Sequence, residues 1–363
     1  MRALDGRMTI RRYALAAVTC GGLIGGAGIA LGVGGPLAAQ NGPPAAAPGD
    51  PYVNMPALAP IGVRVARYAP VPESARGPAV DPAKGYRTQD LGGGLYMLAD
   101  GAYQSMFLVY EDGVVVVDAP PQYAAKIPAA VAEVTPRPIT HLVYSHAHSD
   151  HIGGARALGG KPIIIAHAET NRLLIREGDP NRPPAAVTFD ATYRLSVGSQ
   201  LLELSYHGTG HQPGNIFIHA PKQRVLMVVD VIFPGWMPWR RFALAQDVRG
   251  YFDQVKRIDA WDFDTLVAGH VARTGTRADV AAQLAFIEDL KAAASAALER
   301  TTPGEGLDVS DRSNPWAVFD HYIDRVVVDC VNQLTPKWSA RLAGYDVYIW
   351  DQCYAMEQSL RID

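Results

Sequence analysis

Residues 145–151, Ser-His-Ala-His-Ser-Asp-His, place three imidazoles and one carboxylate within six positions. They come directly after an apolar run that is typical of a short buried strand. A tight loop at the end of a strand can aim alternate side chains at one point. We therefore expect His146 and His148 to share one metal ion. Asp150 and His151 are expected to face a second ion.

Three further ligand-type side chains follow apolar strands: His211, Asp230 and His270. Metals of borderline softness prefer imidazole nitrogens with a few carboxylates. Because loop residues rarely supply so many ligand types at strand ends by chance, the pattern predicts a metal site. The other five histidines are interpreted as ordinary polar loop residues: His141, His167, His207, His219 and His321.

The rest of the chain predicts strands with intervening helices. Three apolar runs within residues 94–117 are separated by turn residues and indicate an antiparallel meander. Residues 277–300 and 315–363 have the apolar spacing of helices. The pattern predicts an α/β (α+β) fold in which two sheets, or one large mixed sheet, are covered by helices.

The N-terminal region has the layout of an export signal, with arginines before an uncharged Ala-, Gly- and Leu-rich stretch. The pair Arg11-Arg12 resembles a twin-arginine signal, so we expect a periplasmic or secreted bacterial protein. A retained membrane anchor is the alternative, because the stretch is long enough to span a bilayer. The predicted parts are a signal peptide (1–39), a Pro/Ala-rich linker and N-terminal arm (40–84), a catalytic domain (85–275) and a helical C-terminal extension (276–363).

Composition limits the possible partners. Lys and Arg total 33 against 36 Asp and Glu, a formal net charge of −3. A nucleic-acid binder needs a basic face, so no nucleic-acid partner is expected.

Export would place Cys330 and Cys353 in an oxidising compartment, where they could pair. Two buried free thiols fit the sequence at least as well.

The run H-x-H-x-D-H at 146–151, followed by His211, Asp230 and His270, resembles the metallo-β-lactamase fold superfamily. Asp118 after its apolar run also resembles the first motif of that family, an aspartate that supports the metal loop. The resemblance covers roughly residues 85–275. It implies an αββα sandwich with two zinc ions at one edge of the sheets.

The resemblance also implies how the ligands divide. His146, His148 and His211 would hold the first zinc. Asp150, His151 and His270 would hold the second, and Asp230 would bridge the two. Asp150 would in addition orient the hydroxide that the two ions generate from water, which makes it the predicted catalytic residue.

Asp230 narrows the activity that the resemblance implies. The β-lactamases proper generally have cysteine or serine at this position. An aspartate at this position resembles the pattern of the glyoxalase II-type thioesterases, the acyl-homoserine lactonases and the phosphotriesterase-like members. Lactonases with a similar site have a tyrosine shortly after the bridging aspartate, whereas Phe233 stands here.

Aromatic residues after Asp230 are candidates for substrate contacts. Phe233, Trp236, Trp239 and Phe242, with Arg240 and Arg241, could form an aromatic wall with a cationic rim, or pack on the C-terminal helices. Tyr103 and Met106 are expected to overhang the site. Five C-terminal aromatics are expected to be mostly core, with a pocket roof or a dimer contact as alternatives: Trp338, Tyr345, Tyr348, Trp350 and Tyr354.

The sequence as a whole predicts an exported dinuclear zinc hydrolase that acts on an ester, a lactone or a related small acyl substrate. Alternatives on the same fold are a β-lactamase, a phosphotriesterase and an iron-dependent oxygenase. Other divalent metals could replace zinc. The expected partner is a small molecule, a homodimer is possible, and no stable membrane partner is expected once the signal is cleaved.

Overall fold

Two β-sheets lie face to face in the part of the chain that the structure, a computed structural model, describes: residues 68–307 and 311–363. The predicted signal peptide (1–39) and the predicted linker up to residue 67 lie outside the described residues. Within the described residues, no helix is both long and apolar enough to cross a membrane.

The first sheet has its seven strands in sequence order. Strands β1 to β4 pair antiparallel, as the predicted meander requires, and β4 to β7 pair parallel. The strands are β1 (Arg87–Gly92), β2 (Leu95–Ala99), β3 (Gln104–Tyr110), β4 (Gly113–Val117), β5 (Ile139–Val143), β6 (Ile163–His167) and β7 (Val187–Phe189).

The second sheet has five strands in the order β12-β11-β10-β9-β8. Its pairs are antiparallel except β11 with β12, which is parallel. The strands are β8 (Thr192–Val197), β9 (Gln200–Tyr206), β10 (Ile216–Ala220), β11 (Val225–Val228) and β12 (Thr265–Val267).

Eight helical segments accompany the strands over the described residues. They are α1 (Ile127–Ala132), α2 (Ser149–Ile152), α3 (Ala168–Glu177), α4 (Arg240–Leu244), α5 (Val248–Asp259), α6 (Arg277–Arg300), α7 (Pro315–Trp338) and α8 (Tyr345–Arg361). The α4 segment contains residues with left-handed dihedral angles and is a turn rather than a regular helix. It is called the α4 turn below.

The layers explain why a central strand such as β4 is apolar along its whole length. All five residues of β4 are buried, because one face of the sheet contacts the second sheet and the other contacts helices. Met97, Val115, Leu204 and Met227 belong to the core between the sheets. The predicted αββα sandwich with a helical C-terminal extension is confirmed.

Helices cover both outer faces. Residues of α1 and α3 pack on the first sheet, and residues of α5 to α8 pack on the second. Along α6, the buried residues recur every three or four positions, which turns one face of the helix toward the core. Cys330 of α7 and Cys353 of α8 form a disulfide, so the alternative of two free thiols is wrong in this structure.

Candidate metal centre

Five chain segments reach one edge of the sandwich, each after the carboxyl end of a strand. Asp118 follows β4, His146 follows β5, His211 follows β9, Asp230 follows β11 and His270 follows β12. Within each sheet these strands run in the same direction, because they pair parallel or are separated by one antiparallel neighbour. Side chains far apart in sequence therefore meet in space.

The first group of ligand-type side chains consists of His146, His148, His211 and Asp230, whose ligand atoms lie within 4.8 Å of one another. The His146 Nε2 and His211 Nε2 atoms lie 3.4 and 3.1 Å from Asp230 Oδ2. His211 Nε2 lies 2.9 Å from His148 Nδ1. Ligands about 2.0–2.1 Å from a tetrahedral zinc ion are separated by about 3.3 Å, so these spacings fit one ion.

The second group consists of Asp150, His151 and His270. His151 Nε2 and His270 Nε2 lie 3.0 Å apart, and Asp150 Oδ2 lies 3.6 and 3.7 Å from these two atoms. Helix α2 carries both Asp150 and His151, so one helical turn supplies two of the three ligands.

Asp230 connects the two groups. Its Oδ2 atom lies 3.2 Å from His151 Nε2, and its Oδ1 atom lies 3.0 Å from His270 Nε2. Since Oδ2 also contacts His146 and His211, the carboxylate stands between both sets of imidazoles. This is the arrangement expected of a ligand shared by two cations.

Buried polar atoms without partners support a metal at this position. His146 Nε2 is buried and has no hydrogen-bond partner among the described residues. A buried polar group normally has a partner, so an unsatisfied one calls for an explanation such as an ion. The donor set of five imidazoles and two carboxylates suits zinc and similar divalent metals.

The protonation states agree with a cation site. Burial and then the neighbouring histidines His148 and His211 lower the pKa of His146 well below its usual value. Burial and His211 lower the pKa of His148 to about 4. Both imidazoles are therefore neutral at pH 7, and neutral imidazole is the form that binds metal.

The carboxylates stay charged at neutral pH. Burial alone would raise the pKa of Asp230, but His151, His270 and His211 hold it well below its usual range. Burial would lower the pKa of His270, yet Asp230 and Asp150 raise it to about 10. His270 therefore carries a proton at neutral pH, and its positive charge partly balances the charge of the two carboxylates. A metal ion bound here would displace that proton, because metal binding to imidazole releases protons.

Supporting residues fix the ligands. Ser145 Oγ lies 3.0 Å from His146 Nδ1, and the carbonyl oxygen of Ala102 lies 3.3 Å from His270 Nδ1. Such contacts orient ligating imidazoles. The predicted supporting residue Asp118 is fully buried and accepts a hydrogen bond from Ser145 N at 2.8 Å. Burial raises its pKa to about 6.

Backbone strain is concentrated at the same edge. Asp118, Asp230 and Val271 have φ values of 61°, 65° and 66°. Aspartate tolerates the left-handed region better than most residues, whereas a β-branched residue such as Val271 rarely adopts it. Strain of this kind persists where the surroundings enforce it, typically at functional sites.

Two buried glutamines that support the site were not identified as supports from the sequence. Gln212 Oε1 accepts a hydrogen bond from Ala147 N at 2.9 Å and ties the His211 loop to the His146 loop. Gln104 donates to the carbonyl oxygens of Val271 and Arg273 and accepts from Ala268 N. The only signal for Gln104 was a glutamine at the start of an otherwise apolar strand.

A cavity of about 720 Å³ opens over the metal-ligand edge. All four predicted substrate contacts line it: Tyr103, Phe233, Trp236 and Trp239. Met237, Leu244 and Val271 add apolar surface, and Tyr348 of α8 adds a fifth aromatic ring to these four.

For Phe242, Arg240 and Arg241 the packing alternative applies, whereas the expectation for Met106 is wrong. Phe242 is fully buried in the core against Tyr251 and does not line the cavity. Met106 lies in the core between the sheets rather than over the site. Arg240 and Arg241 are not lining residues either. Arg240 pairs with Asp351 at 3.0 Å, and the Arg241 guanidinium lies over the ring of Tyr354 at 5.0 Å.

The C-terminal aromatics divide between core and cavity. Trp338 and Tyr345 are buried, in agreement with the core interpretation. Tyr348 lines the cavity. Trp350 and Tyr354 are partly buried and stack on each other with ring centroids 5.1 Å apart.

The fold and the site together define a class: an αββα enzyme with a dinuclear-type set of histidine and aspartate ligands at one edge of its sheets. The sequence profile of the metallo-β-lactamase superfamily matches residues 99–270. This part of the chain, which contains all seven ligand-type residues, belongs to that superfamily.

Known proteins with similarity to the chain have different activities. The α subunit of 2,4-dinitroanisole O-demethylase from Nocardioides sp. (strain JS1661) is 27% identical over 197 residues, which cover 52% of this chain and 59% of that protein. The N-acyl homoserine lactonase of Bacillus cereus is 32% identical over 105 residues, 27% of this chain and 40% of that protein. The chain thus matches about half the length of these relatives.

A solved structure, a metallo-β-lactamase from Pontibacter korlensis, is similar to this chain with a TM-score of 0.49 and 16% identity. The match covers 56% of this chain and 99% of that one.

Proposed function

We propose that the protein is a metal-dependent hydrolase that cleaves an ester, a lactone or a related small acyl compound. One observation carries the proposal: seven ligand-type side chains converge with Asp230 between the two groups, and five of them line a largely apolar cavity. The similarity to an N-acyl homoserine lactonase supports a lactone or ester as the substrate.

The ligand groups define how the site would be loaded. His146, His148 and His211 would hold one zinc ion, and Asp150, His151 and His270 would hold the other, with Asp230 shared. When bound, the two ions supply a hydroxide at neutral pH and polarise the substrate carbonyl. No serine or cysteine nucleophile is needed for this chemistry.

Protein groups at the cavity would orient the reactants. The Asp150 side chain is 40% exposed and belongs to the cavity lining, so its carboxylate can accept a hydrogen bond from the attacking water. Burial, Asp150 and Asp230 raise the pKa of Tyr103. The phenol therefore stays protonated at neutral pH and can donate a hydrogen bond to a substrate oxygen.

The experiment is a hydrolysis screen on zinc-loaded protein that starts at residue 40. Lactones, thioesters, aryl esters, phosphotriesters and β-lactams are compared, with metal content measured on the same sample. We expect turnover of the acyl esters or lactones, loss of activity on chelation, and recovery when zinc is returned. Turnover of β-lactams or phosphotriesters alone would replace the proposal with one of those activities.

A second candidate is cleavage of an aryl methyl ether, which the similarity to a 2,4-dinitroanisole O-demethylase subunit favours. Hydrolysis of such an ether needs only water and yields a phenol and methanol. Release of 2,4-dinitrophenol from 2,4-dinitroanisole, followed by its absorbance, tests this activity. A single bound iron together with oxygen uptake would instead indicate an oxygenase.

We also propose that the protein is exported through its twin-arginine-like signal. The disulfide between Cys330 and Cys353 supports an oxidising compartment. Replacement of Arg11 and Arg12 by lysine should retain the protein in the cytoplasm, as measured by cell fractionation. Periplasmic recovery of that variant would contradict this route.

A further inference from the structure

The α4 turn has an unusual backbone. Four consecutive residues, Arg241, Phe242, Ala243 and Leu244, have φ values between 49° and 57°. L-residues disfavour the left-handed conformation, and runs of it are rare. A left-handed turn of this length therefore needs surroundings that enforce it.

A buried glutamine of α8 holds the turn. Gln352 is fully buried, and its Oε1 atom accepts a hydrogen bond from Phe242 N at 2.9 Å. Its Nε2 atom donates to the carbonyl oxygens of Pro238 and Trp239 at 2.6 and 3.2 Å. One side chain thus satisfies three backbone groups of the turn and of the residues before it.

The turn forms one wall of the cavity. Trp239, Ala243 and Leu244 line it, together with Tyr348 of α8. The rings of Trp239 and Tyr348 lie 6.4 Å apart, centroid to centroid, in an edge-to-face arrangement. Trp239 and Leu244 remain 44% and 49% exposed, so this apolar surface is open to a ligand.

The charge of the cavity lining restricts the ligand. None of the described lining residues is a lysine or an arginine, and Asp150 and Asp230 lie at the floor. The Arg240 guanidinium lies 5.7 Å from the ring centroid of Tyr348, but it is paired with Asp351 at 3.0 Å. A carboxylate placed against this wall would lose its hydration without gaining an unpaired cationic partner, which is unfavourable.

We propose that α8, through Gln352 and Tyr348, determines the substrate specificity of the metal site by holding an apolar wall that takes an uncharged apolar substituent. The proposal rests on the proposed hydrolase function. Tyr348 contacts the substrate, and Gln352 is a positioning residue that acts through the α4 turn. Both lie outside the segment 99–270 that defines the family.

Three phenyl esters test the substrate class on the zinc-loaded protein: phenyl acetate, phenyl hexanoate and the monophenyl ester of adipic acid. Each buried CH₂ is worth roughly a fourfold gain in binding, so we expect kcat/KM for the hexanoate to exceed that for the acetate at least tenfold. The adipate ester carries a carboxylate at the end of the acyl chain and should fall at least tenfold below the hexanoate. Equal values for all three would overturn the proposal.

Two variants test the role of α8. Gln352→Leu keeps the side-chain volume but removes all three hydrogen bonds, and should lower the hexanoate-to-acetate ratio at least fivefold, mainly through KM. Gln358→Leu, the same substitution on the same helix at a residue that contacts Tyr354, should leave the ratio unchanged. Metal content and circular dichroism are measured on each variant.

A third variant covers the case in which Gln352→Leu does not fold. Leu244→Lys changes an exposed wall residue and places a cation against the acyl chain. It should raise the adipate-to-hexanoate ratio at least fivefold. An unchanged ratio in this variant would contradict the assignment of the wall.

A binding measurement distinguishes failure of this inference from failure of the proposed function. N-phenylhexanamide is a slowly hydrolysed analogue of the ester, and its binding is followed by quenching of tryptophan fluorescence from Trp236 and Trp239. Binding of the anilide without turnover of any ester would refute the hydrolase and leave the apolar wall standing. Ester turnover without chain-length preference would refute the wall and leave the hydrolase.

Discussion

At the scale of single residues, the site depends on side chains that each have more than one partner. Asp230 contacts four imidazoles within 3.4 Å, and its backbone is left-handed. Such residues cannot be replaced without disturbing both ligand groups. Asp150 has a narrower role, because its carboxylate contacts only the second group.

Asp150→Ala should lower kcat at least about 100-fold, because positioned proton acceptors contribute about 10² to 10⁴ in rate. The measurement is steady-state kinetics on variant protein whose metal content is known. Asp112→Ala, in the exposed turn between β3 and β4, is the matched control. Substantial turnover by a fully metal-loaded Asp150 variant would refute its role.

Gln104→Leu tests a residue that fixes His270 from the opposite sheet. The change removes the partner of the buried Ala268 N and of the partly buried carbonyl oxygens of Val271 and Arg273. A buried polar group left without a partner costs about 1–3 kcal/mol. We expect the free energy of unfolding in urea to fall by at least about 3 kcal/mol and the second metal to bind more weakly. Gln104→Glu keeps the acceptor for Ala268 N but places a buried carboxyl against the carbonyl oxygens of Val271 and Arg273, so it should not restore the stability. Unchanged stability and metal stoichiometry in Gln104→Leu would count against this role.

At the scale of elements, the termini of helices are stabilised locally. Helix α6 begins with a capping box in which Thr276 and Asp279 each bond the backbone of the other. Arg273 pairs with Asp279 at 2.6 Å and donates to the carbonyl oxygen of Ser74 at 2.7 Å. The cap therefore also anchors the described part of the N-terminal arm.

Thr276→Ala removes the hydroxyl acceptor of the capping box and should lower the free energy of unfolding by about 1 kcal/mol. Thr276→Ser retains the hydroxyl and should be close to the parent protein. Urea denaturation measures both variants. Because Thr276 is exposed and does not line the cavity, a large loss of turnover in the alanine variant would contradict a purely structural role.

At the scale of the whole molecule, the helical C-terminal extension shares a core with the second sheet. Phe217 and Leu226 of the sheet, Phe286 of α6 and Met356 of α8 belong to one cluster of buried residues. The Cys330–Cys353 disulfide joins α7 to α8 within this cluster. Stability of the extension should therefore affect the cavity wall that α8 supports.

Replacement of both cysteines by alanine should lower the free energy of unfolding by about 3 kcal/mol, because the disulfide closes a loop of 23 residues in the unfolded chain. Urea denaturation without reductant measures the difference. Dithiothreitol should bring the parent protein toward the variant and leave the variant unchanged. A parent protein insensitive to reductant would contradict the stabilising role of the disulfide.

The sequence by itself determined the ligand set and the layers. His146, His148, Asp150 and His151 lie within six positions, so one local turn brings them close whatever the rest of the chain does. His211, Asp230 and His270 each follow an apolar strand, and strand ends meet at a sheet edge. Continuous apolar strands likewise indicate sheets covered on both faces, as β4 shows.

Only the tertiary structure decided the cavity wall and its supports. Whether Phe242 or Trp239 faces the cavity depends on the left-handed α4 turn, which its own sequence disfavours and Gln352 stabilises from 110 positions away. Gln104 supports His270 through contacts between residues that are distant in the chain. Such long-range contacts leave no periodic pattern in the sequence, because they depend on how separate elements pack rather than on local preference.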